Sequence, residues 1–107
     1  MTLKDIEIEH ELEDAVKDKN RVYILFYASW CPFSQRFLPI YEKHAQKNPQ
    51  PCLRIKIDDK AKLCEKYSVD VVPTVLVFEK GVVTKRLDGE QGAGLSEQQL
   101  MKLLGIS

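Results

Sequence analysis

Hydrophobic and polar positions along the chain change period repeatedly, and this predicts a mixture of strands and helices. The run "RVYILFYA" is almost entirely apolar and rich in aromatic and β-branched residues, as expected of a strand covered on both faces. Strict alternation in "CLRIKID", and of Ile6 and Ile8 with acidic residues, predicts strands that are buried on one face. These patterns predict three strands within residues 1–58.

Between these strands, apolar residues recur at helical spacing. Leu12, Ala15 and Val16 predict a first helix that reaches about Lys19. A second helix follows Cys31, and its apolar stripe consists of Phe37, Leu38, Tyr41 and Ala45. Because proline lacks a backbone N–H, Pro39 should kink this helix. A third, short helix is expected to begin with Asp59 as its cap and to bury Ala61, Leu63, Cys64 and Tyr67.

The last third of the chain predicts a hairpin and a final helix. "VDVVPTVLVFEKGVVTKRLDG" contains two strands joined by a tight turn at "EKG", and strands this close in sequence pair antiparallel. Ser96 and Gln99 have the spacing of a capping box, Leu95 can pack on the first turn, and Gly105 is a helix stop.

The predicted order is β-α-β-α-β-α-β-β-α in a single domain, residues 1–107. Alternating strands and helices require crossover connections and parallel pairing, whereas the hairpin adds antiparallel strands at an edge. The predicted fold class is thus α/β, with a central mixed sheet flanked by helices on both faces.

Composition and charge narrow the choice of partners and compartment. The 107 residues contain 16 Lys and Arg against 16 Asp and Glu, so no overall field attracts nucleic acid or an anionic membrane. The N-terminal residues lack the charged-then-apolar pattern of a secretion signal, and no run is long enough for a membrane helix. Three cysteines, an odd number, suit a reducing compartment. A cytoplasmic monomer is the expectation.

Cys31 is the first candidate for chemistry, because it lies between the buried strand and the second helix. Free backbone N–H groups and the helix dipole at such a position favour an anion, and the thiolate is one. We therefore expect a nucleophilic cysteine. Pro32 suits the first helical position, which leaves the N–H groups of Phe33 and Ser34, and the Ser34 hydroxyl, as the expected donors to the sulfur.

Five motifs, in order, resemble those of thioredoxin-like proteins, and together they cover nearly the whole chain. "FYASWCPFS" resembles the active-site segment of thioredoxins and protein disulfide isomerase domains, aligned on Trp30 and Cys31. "YSVDVVPT" resembles the loop before the family's cis-proline, which would be Pro73. Pro39 matches the proline of the active-site helix, "RIKID" the central strand and "FEKG" the hairpin turn.

The resemblance implies a thioredoxin fold and a thiol–disulfide oxidoreductase in which Cys31 forms mixed disulfides. In this family a substrate strand pairs beside the cis-proline, so Val72 would offer its N–H and C=O to the partner. Trp30, Pro32 and Pro73 would form the apolar rim of the substrate-binding surface. Protein thiols and disulfides, a reductase or glutathione are the implied partners; no cofactor is expected, although glutathione can serve as a co-substrate.

Two residues depart from the family pattern. Ser34 occupies the second catalytic position, where dithiol members carry the cysteine that releases the substrate, and a hydroxyl cannot perform that step. A covalent complex would then wait for an external thiol. Leu25 stands where thioredoxins bury an aspartate and disulfide isomerases a glutamate. Ser34 is either native to a monothiol protein or replaces the cysteine of a Cys-Pro-Phe-Cys motif, and the sequence alone leaves both open.

Two other functions fit the same residues. A non-catalytic binding module would use the groove between Trp30 and Pro73 without turnover. Cofactor assembly is the other, because monothiol glutaredoxins with a Cys-Gly-Phe-Ser motif bridge an iron–sulfur cluster with glutathione. Pro32 in place of glycine, and Trp30 before the cysteine, count against this last function.

The remaining candidates have structural interpretations. Cys52 and Cys64 are expected to be buried and unreactive. A zinc site is not expected, because no two cysteines are two to four residues apart. His44 is predicted on the solvent side of the second helix. Arg54 is predicted either near the active site, where it would favour the thiolate, or at an exposed position of its strand.

Overall fold

The computed structural model describes residues 5–6, 9–17 and 20–105. Ile8 and Lys19, which the sequence placed in the first strand and the first helix, lie outside these ranges. The strands are β1 (Asp5–Ile6), β2 (Val22–Tyr27), β3 (Cys52–Lys56), β4 (Thr74–Glu79) and β5 (Val82–Leu87). The helices are α1 (Glu9–Val16), α2 (Pro32–Lys47), α3 (Ala61–Lys66) and α4 (Glu97–Leu104).

The strands form one mixed sheet in the order β1-β3-β2-β4-β5. β2 pairs parallel with β3 and antiparallel with β4, and β5 closes one edge antiparallel to β4. Parallel pairing of β2 with β3 follows from the helical crossover between them, whereas β4 and β5 are joined by a two-residue turn. The predicted α/β class, element order and mixed sheet are confirmed.

Two apolar clusters sandwich the sheet. Every residue of β2 is buried, because its side chains point alternately into the two clusters, as the continuous apolar run predicted. One cluster contains Leu12, Phe26 and Phe78, and the other contains Phe37 and Tyr41 of α2. This burial on both faces fixes β2, whose C-terminal end leads to Cys31.

Local signals in the last third of the chain are confirmed. The turn between β4 and β5 consists of Lys80 and Gly81, both with positive φ (54° and 85°), the backbone that a tight hairpin requires. Ser96 caps α4 and forms a capping box with Gln99. Gly105 ends the helix in the left-handed conformation, with φ 78°.

Helix α1 is described from Glu9 to Val16, and its predicted end near Lys19 lies outside the described residues. Three predicted details are wrong. Asp59 does not cap α3. The N-cap is Lys60, which makes no side-chain cap hydrogen bond, and the Asp59 carboxylate lies outside the helix, where it pairs with the Lys60 ammonium group at 3.2 Å. Ala61, expected on the buried face, is exposed at the start of α3.

The third is His44, which is buried at 9% exposure instead of facing solvent. Helix α4 covers this side of α2, and the His44 ring nitrogen Nε2 lies 2.7 Å from the Glu97 carboxylate.

Pro39 lies within α2 and is exposed, and the helix continues through it to Lys47. None of the helices in the described ranges combines the length and the apolar composition needed to cross a membrane.

Candidate active site

Cys31 is the N-cap of α2 and follows β2 by one short turn. Its backbone is extended (φ −89°, ψ 120°), and Pro32 occupies the first helical turn, as predicted. The turn from Ala28 to Cys31 is closed by a hydrogen bond from the Cys31 N–H to the Ala28 carbonyl, at 3.4 Å. Buried β2 and the helix start therefore fix the cysteine from both sides, with 7% of its surface exposed.

The Cys31 thiol donates to the carbonyl oxygen of Val72, with sulfur and oxygen 3.8 Å apart. It makes no side-chain cap hydrogen bond with the helix. The prediction that the Phe33 and Ser34 N–H groups donate to the sulfur is wrong, and the sulfur is directed instead toward a backbone carbonyl. The contact joins the cysteine to the loop before β4.

Ser34 lies one helical turn after Cys31 and is fully buried. Its hydroxyl oxygen accepts a hydrogen bond from the Ala28 N–H at 3.2 Å. The expected bond from this hydroxyl to the sulfur is not among its contacts in the structure. Instead the hydroxyl satisfies the backbone amide that follows β2, which would otherwise be a buried donor.

The four residues proposed for substrate binding surround the cysteine in two layers. Trp30 is 68% exposed, and Pro32 is exposed beside it. Val72 is half-buried and Pro73 is buried, and the peptide bond between them is cis, the form that the resemblance implied. The sequence predicted Trp30, Pro32 and Pro73 together on an apolar rim, but the structure exposes the first two and buries Pro73 beneath the surface. Substrate binding by these residues stays a prediction.

This loop is packed tightly against the chain that follows β5. A Cβ built on Gly89 would lie 2.3 Å from the Pro73 carbonyl oxygen, so only glycine fits there. The Thr74 hydroxyl donates to the Val71 carbonyl at 2.5 Å and accepts from the Gly89 N–H at 3.3 Å. Backbone packing and a threonine hydroxyl therefore hold the residues on either side of Val72, whose carbonyl faces Cys31.

The other two cysteines differ from Cys31 in their surroundings. Burial raises the pKa of the Cys52 thiol to about 12 and also raises the pKa of Cys64, which is half-buried. Both remain thiols at neutral pH, in agreement with the prediction that they are unreactive. Within the part of the chain that the structure describes, no three His, Cys, Asp or Glu side chains are grouped as metal ligands.

Leu25 and Arg54 are register partners on neighbouring strands. Leu25 is fully buried in the cluster that also contains Phe37, so an apolar side chain replaces the family's acid. The Arg54 side chain is 20% exposed and pairs with the Glu42 carboxylate at 2.5 Å. Its guanidinium also lies 5.9 Å from the ring centre of Tyr27. Arg54 is therefore not at an exposed position, and the alternative that it favours the Cys31 thiolate stays a prediction.

Two residues at the site escaped the sequence analysis. Asp58, in the loop after β3, accepts hydrogen bonds from Ser29, and Gln35 of α2 donates to the Ser29 carbonyl at 2.7 Å. The sequence did contain one indication that Asp58 lies at the site, because this acid directly follows the strand that pairs with β2. Polar residues at the carboxyl ends of parallel strands commonly meet at one edge of a sheet.

The five-stranded mixed sheet, with a cysteine at the start of the helix that follows its central strand, defines a protein of the thioredoxin fold. The family model described as Thioredoxin matches residues 5–102. The chain therefore belongs to the thioredoxin family. This membership supports a thiol–disulfide oxidoreductase role. It rests on a match over residues 5–102, whereas the resemblance rested on five short motifs.

Two curated relatives show how far the likeness extends. Thioredoxin of Mycoplasma genitalium is 30% identical over 80 residues, which are 74% of this chain and 78% of that protein. Endoplasmic reticulum resident protein 44.2 of Caenorhabditis elegans is 42% identical over 72 residues, 60% of this chain but 17% of the relative. The chain thus spans most of one relative and less than a fifth of the other.

Among solved structures, thioredoxin of Plasmodium falciparum superposes with a TM-score of 0.87 at 21% identity. The match covers 96% of this chain and 97% of the other. At this level of identity the likeness establishes the fold alone.

Proposed function

We propose that the protein catalyses thiol–disulfide exchange through a single nucleophile, the thiolate of Cys31. The observation that carries the proposal is the position of this thiol at the N-cap of α2, in contact with the Val72 carbonyl and next to the exposed Trp30. A helix N-terminus stabilises a nearby negative charge, which is the charge of the attacking sulfur. Cys52 and Cys64 lack such a position, and the pKa of each is raised by burial.

In the reaction, the Cys31 thiolate attacks one sulfur of a substrate disulfide. A bond forms between the two sulfurs, the substrate disulfide breaks, and the departing thiolate takes a proton from water. Cys31 is oxidised and the departing sulfur is reduced, so electrons balance without a cofactor. The product is a mixed disulfide between Cys31 and a protein or a glutathione molecule.

Ser34 determines what happens next, because its hydroxyl cannot attack the mixed disulfide. Release then requires a second thiol, from glutathione or from a cysteine of the partner protein. The buried Ser34 hydroxyl is bound to the Ala28 N–H, which gives the serine a structural role in the chain as it stands. This contact supports a protein that works with one thiol.

Substrate recognition would follow from the Val72 carbonyl. Once Cys31 loses its proton it no longer donates to this oxygen, which then becomes available to an N–H of an extended substrate segment. Trp30 and Pro32 would cover the substrate side chains next to the disulfide. Recognition of this kind depends on backbone more than on sequence, in agreement with partners that are protein thiols and disulfides in general.

Incubation with glutathione disulfide followed by intact-mass measurement tests the proposal. We expect one glutathione per chain in the parent protein and in Cys64→Ala, and none in Cys31→Ala. An equal adduct in Cys31→Ala, or no adduct in the parent, would contradict a role for Cys31 as the nucleophile.

Ser34→Cys separates the missing step from the remaining machinery. Residues 31 and 34 are one helical turn apart and face the same side of α2. We expect this variant to resolve its own mixed disulfide and to reduce insulin over many cycles with dithiothreitol, whereas the parent does not. Inactivity of the variant, with the parent adduct intact, would show that more than the resolving thiol is absent.

A binding module without turnover is the second candidate, and the exposure of Trp30 favours it. At 68% exposure Trp30 is the most exposed large apolar residue in the part of the chain that the structure describes. This function predicts that Cys31→Ala binds a reduced peptide as tightly as the parent does. The proposed exchange reaction predicts that covalent capture disappears in the same variant.

A further inference from the structure

The four-residue turn from Ala28 to Cys31 presents Trp30 to solvent, and side chains from two other segments hold it. From α2, Ser34 accepts from the Ala28 N–H and Gln35 donates to the Ser29 carbonyl. The third contact comes from the loop after β3, where the Asp58 carboxylate faces Ser29. The turn is therefore clamped between a helix and a loop that are far apart in sequence.

Asp58 makes the most extensive of these contacts, because both of its carboxylate oxygens are used. One oxygen accepts from the Ser29 N–H at 3.0 Å, and the other accepts from the Ser29 hydroxyl. The Asp58 carboxyl is ionised at neutral pH, and the hydrogen bonds from the Ser29 hydroxyl and N–H lower its pKa further. Charge-assisted hydrogen bonds of this kind are stronger than neutral ones.

The loop that carries Asp58 is itself anchored to β2. The Ile57 N–H donates to the Tyr27 carbonyl at 2.9 Å, which extends the pairing of β3 with β2 by one step. Asp58 follows immediately, at the level of the Ser29–Trp30 turn. The sheet register thus delivers the carboxylate to the turn.

We propose that Asp58 is a positioning residue for substrate binding: by fixing Ser29 it sets the orientation of Trp30, and with it the outer wall of the groove beside Cys31. The kinetic part of this proposal rests on the proposed function, whereas the effect of Asp58 on Trp30 does not. Asp58 does not touch the sulfur. Its loss should impair reaction with an extended peptide disulfide and leave reaction with a small disulfide nearly unchanged.

Trp30 is the only tryptophan of the chain and reports its own position. We expect Asp58→Ala to change the fluorescence emission maximum and anisotropy of Trp30 and its quenching by acrylamide. Asp59→Ala is the matched control, because Asp59 is the neighbouring acid, its side chain is 87% exposed and its ion-pair partner is Lys60. Trp30 signals identical in Asp58→Ala and the parent would overturn the proposal.

Asp58→Asn provides a graded variant of the same size. The two Ser29 donors go to different oxygens of the Asp58 carboxylate, and asparagine keeps an acceptor at only one of these positions. The Trp30 signals of this variant should therefore fall between those of the parent and Asp58→Ala. Ser29→Ala removes the hydroxyl, and in a double-mutant cycle its effect should largely disappear when Asp58 is already alanine. Additive effects of the two substitutions would contradict a direct link between these residues.

The kinetic test compares two oxidants for the Cys31 thiol. With a disulfide-linked peptide we expect mixed-disulfide formation to slow about tenfold in Asp58→Ala, whereas the rate with glutathione disulfide should stay within about twofold. Equal slowing with both oxidants would contradict a role in substrate positioning. The fluorescence test is also performed in Cys31→Ala, so a failure of the thiol chemistry and a failure of the Asp58 contact are distinguished.

Discussion

The three thiols of the chain lie in three different surroundings, from which we predict that Cys31 is the one that reacts. Cys31 stands at a helix N-terminus next to an exposed tryptophan. Cys52 opens β3, and its thiol donates to the Gln50 carbonyl with the two atoms 3.6 Å apart. Cys64 lies on α3, half covered by the first core cluster. We therefore expect thiol reactivity in this protein to follow backbone position and not exposure alone.

Alkylation with iodoacetamide at pH 8 should modify Cys31 alone in the folded protein. With a pKa of about 12, only about one Cys52 thiol in 10⁴ is ionised at that pH, and the pKa of Cys64 is raised as well. Peptide mapping after short exposure measures the site. The same reagent in urea should modify all three cysteines, and early labelling of Cys52 in the folded chain would contradict its burial.

Alkaline pH should weaken the fold through Cys52. Its pKa is raised from 9.0 to about 12 in the folded chain, so the contribution of the neutral thiol is complete below pH 9 and is lost as the pH rises toward 12. We expect the parent to lose stability over this range more steeply than Cys52→Val. Urea titrations at pH 8 and pH 10.5 measure the difference, and parallel losses in both proteins would count against it.

At the scale of elements, α2 connects the site to the rest of the molecule. Its first turn carries Cys31 and Ser34, and its last turn is joined to α4 through Glu97, which accepts from Lys43 and His44. Hydrogen bonds from Lys43 and His44 lower the pKa of the Glu97 carboxyl. The helix is thereby held at both ends.

Glu97→Gln should lower the stability of the fold at pH 7 and should make that stability less sensitive to acid pH. Because the folded-state pKa of Glu97 lies below its usual 4.5, the contribution of the carboxylate is present above that value and is lost as the pH falls through the folded-state pKa. Urea midpoints of parent and variant should therefore converge once the pH falls below the folded-state pKa of Glu97. Glu65→Gln, at an exposed position of α3, serves as the control and should behave like the parent.

Gly89→Ala tests the packing between the segment after β5 and the loop before β4. The new Cβ would meet the Pro73 carbonyl oxygen at 2.3 Å, so backbone must move. We expect a loss of about 1–3 kcal/mol in the free energy of unfolding and a slower reaction of Cys31. Gly92→Ala is the control, because its Cβ meets nothing within 4 Å and adds only the strain of a positive φ.

The sequence predicted those elements whose causes are local. The β2 run and the Ser96 capping box depend on residues within a few positions, and both are confirmed. His44 was placed wrongly because Glu97, which covers it, is 53 residues away. Asp58 was missed for the same reason, since its partner Ser29 is 29 residues distant and periodicity carries no information about that contact.

The active site itself was predicted in part. The motif around Cys31 indicated the cysteine and its helix, and the separate motif before β4 indicated the cis-proline segment. Both could be predicted because each is a short run of neighbouring residues. The direction of the Cys31 thiol toward Val72, and of the Ser34 hydroxyl toward Ala28, could not be predicted. Each depends on which donors and acceptors remain free after the sheet has formed.

At the scale of the whole molecule, the sheet separates two cores that share β2. Phe26 and Phe37 are both fully buried, one in each cluster. Because the strand between them is common to both clusters, neither core can open without exposing the other. The two halves of the interior should therefore unfold together.

Phe26→Ala and Phe37→Ala should each lower the free energy of unfolding by about 3–5 kcal/mol. Denaturation by urea, followed by far-UV circular dichroism and by Trp30 fluorescence, should give one coincident transition in both variants. Val82→Ala, at a 63% exposed position, should change stability by less than about 0.5 kcal/mol. Separate transitions for the two probes would show that the cores are independent.

The β5 strand closes one edge of the sheet, and its side chains have a consequence for behaviour at high concentration. The chain has a formal net charge of zero at pH 7, so molecules do not repel one another at a distance. Lys85 and Arg86 are exposed on β5, and the register of this strand is broken between Val77 and Phe78 of its neighbour. A charged, irregular border is a poor template for strands of another molecule, and it gives concentrated solutions a local safeguard against fibrous assembly.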